Sequence, residues 1–383
     1  MGSFGIGGVD KALIEFLNIV DYERYDFTVY FDRAKIEREL NINSNVNIKL
    51  FDSHADNMTE SIKYQLGHFK IIQASRIIRK RLSERRNRVP WEIKRWNDGK
   101  KMPVLDEDYY DCAIAYRTDD IDIAIATLYR IQARKKIFWV HGKTLCEPAS
   151  MWNRDSEYSK FDAICCVSKT AQMFFSILYP SAGDKTMVIH NFFNIQDIHV
   201  QAAKTIKEAM NTVSIVTVGR LSKEKGQNMI PKTARILLDK GFVFKWYLIG
   251  DGDLKTCIEK EIEHNQVKDY VILLGAKKNP YPYMKNCDIY VQTSFLEAHC
   301  LTVEEAKILG KPIVITPELS MMEQIRHAET GLIARNKTPE AIASCIGEML
   351  ESPLLCEKFI KNLQDEKYNN QEELQKLYDF IEC

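Results

Sequence analysis

The sequence predicts an α/β protein with two domains, each built on a parallel sheet with helices on both faces. Short apolar runs rich in Val and Ile recur without the alternation that a half-exposed strand shows. Amphipathic stretches lie between many of these runs, which is typical of a repeated strand–helix order. Since 383 residues exceed what one ordinary core accommodates, two domains of about 150–200 residues each are expected.

Nine apolar runs are predicted to be buried strands, because apolar residues follow one another in them without regular alternation with polar residues. Four precede the predicted domain boundary, at 111–116, 136–142, 162–168 and 185–191. Five follow it, at 213–220, 245–252, 270–276, 287–294 and 311–317.

The predicted domain boundary follows Asn191, because 192–212 separates the two series of strands without a clear strand of its own. The predicted domains are 1–192 and 193–365, followed by a last segment, 366–383. A glycine-rich loop (3–8) and a helix (10–20) open the chain. Such a loop normally follows a strand, so the first strand of the first sheet is expected to be missing.

Composition and charge exclude several classes of protein. The chain is 45% hydrophobic and 28% charged, with 53 basic and 53 acidic residues, so net charge favours no particular partner. The ten Cys include no Cys-x-x-Cys pair, which suits reduced, buried thiols better than disulfides or a zinc site. No apolar run of about 18 residues and no signal segment occurs, so the predicted location is the cytoplasm.

The segment GRLSKEKGQ (219–227) follows a predicted strand and carries two cations, Arg220 and Lys225. Ligands of open α/β sheets bind outside the carboxyl ends of strands. An Arg and a Lys at such a place can clamp a diphosphate. Considered alone, a solvated basic loop is the more frequent explanation.

The segment SFLEAHCLTVEEA (294–306) is predicted to be a loop followed by the start of a helix. Free backbone N–H groups at a helix start favour an anion. Glu305, one turn into the helix, could accept from ribose hydroxyls, and Glu297, in the loop, from sugar hydroxyls. Alternatively, Glu304 and Glu305 only suit the dipole of the first turn.

Together these segments resemble the second domain of the retaining glycosyltransferases of family four, also called group 1 glycosyltransferases. GRLSKEKG is followed by E-x7-E, from Glu297 to Glu305, and then by GKPIVIT. Further similar segments are GIGGVDKAL (5–13), VSK (167–169), HN (190–191), LIGDGDLK (248–255) and TGLIA (330–334). The chain departs from the commonest pattern at Ala298, where the family has Gly, and this bears on the donor sugar.

The resemblance implies a GT-B architecture, in which two Rossmann-like domains face each other across a cleft. The acceptor would bind the first domain, with Gly7 and Gly8 in an acceptor-side loop, and the last segment would return to that domain. The implied reaction is metal-independent, retaining transfer of a hexose-type sugar without a cofactor. The donor would be a nucleotide-sugar, with UDP favoured, and the acceptor a saccharide or lipid-linked molecule in surface polysaccharide or glycolipid synthesis.

The resemblance also assigns roles to individual residues. Arg220 and Lys225 would bind the donor diphosphate and stabilise the leaving nucleotide, which is usually the largest catalytic contribution. Glu305 would hold the ribose and Glu297 the transferred sugar, while the base would lie near Gly250 and 273–284. The remaining donor-pocket positions would be Gly219, Ala298, His299, Cys300, Leu301 and Thr302.

His141 ends the apolar run IFWV and precedes Gly142. A His at a strand end is more often structural, but the resemblance places it close to the donor sugar. The implied role is to orient that sugar and not to act as a nucleophile. No Asp or Glu stands out as the nucleophile of a double displacement, so the resemblance implies a front-face route in which the leaving phosphate helps to take the acceptor proton.

The stretch 62–101 contains thirteen Lys or Arg among apolar residues and two Trp. A basic amphipathic face of this kind suits an anionic membrane surface on the inner side of the membrane. A solvated face over an ordinary core stripe explains it equally well, and no nucleic-acid motif accompanies the charge.

Asp-x-Asp triplets occur at 106–108, 120–122 and 251–253. Chance is the better account of these triplets, and no metal site is predicted. Two other functions stay open: a nucleotide-sugar epimerase on the same fold, and a non-catalytic protein that binds sugar-nucleotides.

Overall fold

The computed structural model describes residues 7–32, 42–51, 91–117, 121–142, 155–206, 208, 210, 212–366 and 368–383. Contacts divide the chain into two compact units. The first comprises Met1–Val167, Gln172–Phe192 and Leu374–Cys383, and the second comprises Ser168–Ala171 and Phe193–Glu373. The sequence places the corresponding breaks at 192/193 and 365/366.

The described elements up to Phe192 are, in order, α1 (Gly8–Ile19), β1 (Thr28–Asp32), β2 (Asn47–Phe51), α2 (Trp91–Gly99), β3 (Tyr109–Ala115), α3 (Ile121–Tyr129), β4 (Gln132–Val140), α4 (Asp155–Tyr158), β5 (Ala163–Cys166), α5 (Lys169–Leu178), α6 (Pro180–Gly183) and β6 (Thr186–Val188). Strands β3, β4, β5 and β6 form a parallel sheet in that order, at the four runs that the sequence predicts.

A second, two-stranded parallel sheet pairs β1 with β2, and the sequence analysis did not predict it. The reason is visible in β2, where Ile48 and Leu50 are 48% and 49% exposed while Phe51 is buried. Such a strand lacks the continuous apolar run that marks a strand buried on both faces. A continuous apolar run therefore identifies strands buried on both faces, but it does not identify half-exposed strands such as β2.

The described elements after Phe192 begin with α7 (Ile195–Ala202), β7 (Ser214–Val218), α8 (Ile230–Asp239), β8 (Lys245–Ile249), α9 (Lys255–His264), β9 (Val271–Gly275), α10 (Tyr281–Asn286) and β10 (Ile289–Gln292). They continue with α11 (Leu301–Ile308), β11 (Ile313–Ile315), α12 (Leu319–Gln324), β12 (Leu332–Ile333), α13 (Pro339–Glu351), α14 (Pro353–Asp365) and α15 (Asn370–Glu382). Among the helices of the described ranges, none has both the length and the apolar character needed to cross a bilayer.

The six strands of the second unit are all parallel and lie in the order β9-β8-β7-β10-β11-β12. This is the doubly wound order, which runs outward in both directions from its first and fourth strands. Strand order reverses between β7 and β10, so the crevice outside their carboxyl ends is the expected ligand position. The two segments singled out in the sequence, 219–227 and 294–306, follow these two strands.

Alternate residues of these strands enter two apolar clusters, one on each face of the sheet. On β7, Ile215 belongs to one cluster and Val216 to the other, and on β10 Val291 and Tyr290 divide in the same way. All five residues of β7 are buried. Full burial of each aliphatic side chain contributes about 1.5–3 kcal/mol, so the strands that carry the two segments are firmly held.

The end of α15 belongs to the first unit, where Leu374, Leu377 and Tyr378 are buried. The Tyr378 ring stacks on Tyr25 with centroids 4.7 Å apart. Its hydroxyl accepts a hydrogen bond from the Asp21 backbone N–H at 3.0 Å. These contacts anchor the last turns of the chain.

Candidate functional site

Hydrogen bonds to backbone carbonyl groups tie the loops after β7 and β10 together. The Thr293 hydroxyl donates to the Lys225 carbonyl at 2.8 Å. The Phe295 backbone N–H donates to the Glu224 carbonyl at 2.7 Å. Backbone positions in one loop are thus fixed relative to the other, as a site built from both loops requires.

Gly226 allows this close approach. Its φ of +66° lies in the left-handed region, where glycine has no steric penalty. A Cβ atom there would lie 2.3 Å from the Thr293 carbonyl oxygen. Any side chain at this position would push the two loops apart.

The predicted donor-pocket glycines Gly219 and Gly250 meet at the ends of β7 and β8. A Cβ on Gly250 would lie 1.9 Å from the Gly219 carbonyl oxygen, and the φ of Gly250 is +153°. The Gly219 N–H donates to the Ile249 carbonyl at 2.9 Å. No side chain covers the backbone at these two glycines, so a ligand in the crevice can approach the backbone closely there.

Arg220 follows the end of β7, and its side chain is exposed. The Gln227 amide, which is buried, donates to the Arg220 carbonyl at 2.9 Å. Among the described residues Arg220 forms no ion pair. Its guanidinium is consequently available to an anion in the crevice.

Lys225 and Glu297 form an ion pair across the two loops, with Nζ and Oε1 2.6 Å apart. The Glu297 side chain is 9% exposed and that of Lys225 is 24% exposed. Burial disfavours the charged ammonium, but the adjacent Glu297 carboxylate outweighs it and holds the pKa of Lys225 above its usual value. Lys225 is thus charged at neutral pH, with the Glu297 carboxyl group beside it.

Glu297 also belongs to a chain of buried polar side chains that the sequence analysis missed. The Ser294 hydroxyl donates to Glu297 Oε1 at 2.6 Å, and the Gln292 amide donates to Ser294 at 2.8 Å. Tyr290 and Thr302 in turn donate to Gln292 Oε1 at 2.8 and 3.3 Å. A sequence signal existed, because Gln, Thr and Ser follow one another at the end of the apolar strand in 287–294.

Helix α11 begins after Cys300, whose side chain makes no capping hydrogen bond. A side chain from α12 holds this start in place. The Cys300 N–H donates to Gln324 Oε1 at 3.2 Å, and Gln324 Nε2 donates back to the Cys300 carbonyl at 3.0 Å. The following N–H groups of the first turn lie at the positive end of the helix dipole.

The neighbouring acids of α11 have different surroundings. Glu304 pairs with Lys307 at 3.0 Å and accepts from Gln324 at 3.1 Å. Burial alone would raise the pKa of Glu304, but Lys307 and these hydrogen bonds hold it below the usual value. Glu305 is 1% exposed. The pKa of Tyr290 is raised mainly by burial, and the nearby Cys300 and Glu305 side chains raise it further.

The two acids of α11 therefore have different neighbours. The Tyr290 hydroxyl lies 3.5 Å from the Val218 carbonyl at the end of β7. Glu304 joins α11 to α12 through Gln324, whereas Glu305 is buried in the same helix and contributes to the raised pKa of Tyr290. The predicted contact of Glu305 with the ribose stays a prediction.

The remaining predicted residues of the donor pocket lie between Glu297 and Thr302. The Ala298 carbonyl accepts from the Ser168 hydroxyl at 2.6 Å. His299 and Leu301 are half-buried, and the charge of His299 contributes to the lowered pKa of Glu304. The structure thus brings Arg220, Lys225, Glu297 and the start of α11 together in the second unit.

His141, Gly7 and Gly8 lie in the first unit. His141 follows β4, with its ring centroid 4.2 Å from that of Tyr116 and 5.8 Å from that of Trp139. Gly7 is the N-cap of α1 and Gly8 its first residue. The structure gives these residues ordinary packing or helix-start surroundings, and their predicted roles stay predictions.

Only the end of the basic stretch, 62–101, falls within the described residues. There, Arg95 pairs with Asp122 at 2.5 Å, and Lys100 pairs with Glu157 at 2.7 Å. These two cations are neutralised by the first unit itself. The stretch 62–90 lies outside the described residues.

The Asp-x-Asp triplets also have local partners where they are described. Asp106 pairs with Lys49 at 2.6 Å, and Asp108 contacts the same ammonium. The Asp251 carbonyl accepts from the Leu221 N–H at 3.0 Å. Asp120 lies outside the described residues.

Cys300 is expected to resist alkylation in the native protein at pH 8, although it lies at a helix start. Burial, with the Glu297 charge adding to it, raises the pKa of its thiol to about 12, and only a thiolate reacts. N-ethylmaleimide followed by peptide mass spectrometry should label exposed Cys257 and Cys383 and leave Cys300 unmodified. Labelling in urea is the control, and modification of native Cys300 as fast as Cys257 would contradict the assigned burial.

A family model matches the part of the chain that holds this site. Residues 201–366 match the model described as Glycosyl transferases group 1. This range includes the loops after β7 and β10 and helix α11.

Two relatives extend this finding. An uncharacterized glycosyltransferase of Methanocaldococcus jannaschii is 24% identical over 248 residues, which cover 58% of this chain and 61% of the relative. The N,N'-diacetylbacillosaminyl-diphospho-undecaprenol alpha-1,3-N-acetylgalactosaminyltransferase of Campylobacter jejuni is 29% identical over 173 residues, 44% of each chain. The match thus spans less than two thirds of either relative.

Among solved structures, HepE of Anabaena in complex with UDP and glucose is similar over nearly its whole length. The TM-score is 0.69 at 16% identity, and the match covers 100% of this chain and 98% of HepE. At this identity the likeness shows the fold alone. The predicted resemblance and fold class are confirmed: residues 201–366 match the model of the group 1 glycosyl transferases, and the chain has the GT-B fold.

Proposed function

We propose that this protein is a retaining, metal-independent glycosyltransferase. It moves a hexose-type sugar from a nucleotide-sugar, with UDP favoured, to a saccharide or lipid-linked acceptor. The observation that carries the proposal is the Lys225–Glu297 pair, which lies at the switch point between β7 and β10. A cation and a carboxylate there suit a donor that has a diphosphate next to a sugar.

The diphosphate would bind Arg220, Lys225 and the start of α11. As the bond between the sugar and the diphosphate breaks, negative charge grows on the leaving phosphate. Preorganised cations and N–H groups stabilise such charge most effectively. Because Lys225 stays charged at neutral pH, no proton has to be taken up before it acts. These cations would also supply the positive charge that a metal ion supplies elsewhere, which supports a metal-independent site.

Glu297 would accept hydrogen bonds from hydroxyls of the transferred sugar. Its Oε1 atom is held by Ser294 and Lys225, whereas Oε2 has no hydrogen bond among the described residues. Glu305 would accept from the ribose. HepE is described in complex with UDP and glucose, which supports a UDP-hexose as the first donor to test.

Retention is proposed from the family resemblance. In the front-face route, the bond from the anomeric carbon to the diphosphate oxygen breaks, and a bond to the acceptor oxygen forms on the same face. The acceptor hydroxyl proton passes to the leaving phosphate. His141 would orient the sugar, and Gly7 and Gly8 would belong to the acceptor-side loop.

A lipid-linked acceptor is supported by the name of the Campylobacter jejuni relative, which includes diphospho-undecaprenol. An acceptor of this kind is held at a membrane surface. The composition of 62–101 suits contact with anionic lipid. We therefore include a peripheral position on the inner membrane face in the proposal.

The test is transfer from UDP-glucose and UDP-N-acetylglucosamine to oligosaccharides and to a bacterial lipid extract. We expect UDP release that requires acceptor, continues in EDTA, and gives a product with the anomeric configuration of the donor by NMR. A free epimer formed without acceptor would identify an epimerase instead. Nucleotide-sugar binding without turnover for any acceptor would favour the non-catalytic alternative.

A further inference from the structure

We propose that Gln292 and Ser294 are positioning residues that hold Glu297 in the orientation needed to bind the donor sugar. This inference rests on the proposed function of Glu297. Gln292 is 1% exposed and Ser294 is fully buried, so neither side chain lies on the protein surface. Both act on the substrate only through the Glu297 carboxylate.

The hydrogen bonds all run toward the Glu297 carboxylate. A carboxylate only accepts, so the Ser294 hydroxyl, 2.6 Å away, must donate its single proton to it. Ser294 must then accept from Gln292, which places the Gln292 nitrogen toward Ser294 and its oxygen toward Tyr290 and Thr302. Each hydrogen bond in this series is therefore donated in the direction of Glu297. Turning the Ser294 hydroxyl or flipping the Gln292 amide would break at least one of these bonds.

The chain also joins three pieces of the site. Gln292 ends β10, Ser294 and Glu297 lie in the loop, and Thr302 lies in the first turn of α11. A rigid amide at the centre fixes the loop carboxylate relative to the helix start. Because these bonds are buried, loss of one partner leaves another polar group unsatisfied.

The hydrogen bonds from Gln292 through Ser294 become more important for the orientation of Glu297 when the donor binds. Without a ligand, Lys225 and Ser294 both hold Glu297 Oε1. A diphosphate attracts the Lys225 ammonium, which weakens its hold on the carboxylate. The Ser294 hydroxyl then remains to orient Glu297, with Oε2 directed to a sugar hydroxyl. The effect of Gln292 and Ser294 should consequently appear with an intact UDP-sugar and not with UDP.

The experiment compares the dissociation constants of UDP and UDP-glucose, or of UDP-N-acetylglucosamine if the wild type prefers it. The variants are Ser294→Ala and Gln292→Met, the second of which keeps the length of the side chain. Each is expected to weaken UDP-sugar binding roughly tenfold, the loss of about one charged hydrogen bond, with UDP binding unchanged. In a Glu297→Ala background, Ser294→Ala should have no further effect.

Thr217→Val is the matched control. Thr217 is equally buried on β7, but its hydroxyl bonds Val291 and Trp246 and does not reach Glu297. This control should leave the preference between the two ligands unchanged. Equal weakening of UDP and UDP-sugar by Ser294→Ala, or no weakening of either, would overturn the inference while transfer by the wild type still stands. A wild type that binds no UDP-sugar would overturn the proposed function, and the inference with it.

Discussion

Replacing Lys225 by alanine is expected to lower the transfer rate from a UDP-sugar by about 100- to 1,000-fold, the usual effect of removing one group that stabilises developing charge. The variant removes the cation placed beside the leaving phosphate. It also leaves the Glu297 carboxylate, 9% exposed, without its countercharge. Initial rates of UDP release at saturating donor measure the effect, and calorimetry measures the accompanying loss of UDP binding.

Lys223→Ala is the matched control, because Lys223 lies in the same short turn but is exposed and makes no ion pair among the described residues. It should keep a near wild-type rate. Since the unpaired Glu297 also destabilises the fold, the thermal midpoint of Lys225→Ala must be measured and the assay run well below it. A folded Lys225→Ala protein with an undiminished rate would exclude Lys225 from the reaction.

The sequence was sufficient to predict which segments form the candidate site. Both segments follow buried parallel strands, and the apolar runs within 213–220 and 287–294 predict those strands. Ligand position then follows from strand order, since the carboxyl ends at the switch point form the crevice. The doubly wound order that the structure shows for the second unit supplies this last step.

The pairing of side chains within the site could not be predicted. A sequence gives Lys225 and Glu297 as two separate charges, and only the folded loops show that each neutralises the other at 2.6 Å. For Glu304 and Glu305 the sequence leaves open that both only suit the dipole of the first turn. The difference arises from Lys307 and Gln324, which both bond the Glu304 carboxylate.

Replacing Glu305 by alanine is expected to weaken UDP binding by about ten- to a hundredfold, the range for hydrogen bonds to a charged group. The reason is the proposed contact between Glu305 and the ribose hydroxyls. A second ligand that lacks these hydroxyls measures the contribution of this contact. Wild-type protein should bind UDP more tightly than its 2′,3′-dideoxy analogue. In Glu305→Ala this difference should disappear, because the carboxylate that accepts from the hydroxyls is gone. Calorimetric titration of both ligands into both proteins completes the cycle.

Glu304→Gln separates this effect from damage to helix α11. Glu304 is as deeply placed in the helix, but its carboxylate is committed to Lys307 and Gln324. Its replacement should lower the thermal midpoint and leave the preference for UDP over the dideoxy analogue intact. If Glu304→Gln removes that preference as fully as Glu305→Ala, the preference depends on the integrity of α11 and not on a contact between Glu305 and the ribose. If Glu305→Ala keeps the preference, the ribose hydroxyls are bound by another group, and the second carboxylate of E-x7-E has a structural role in this chain.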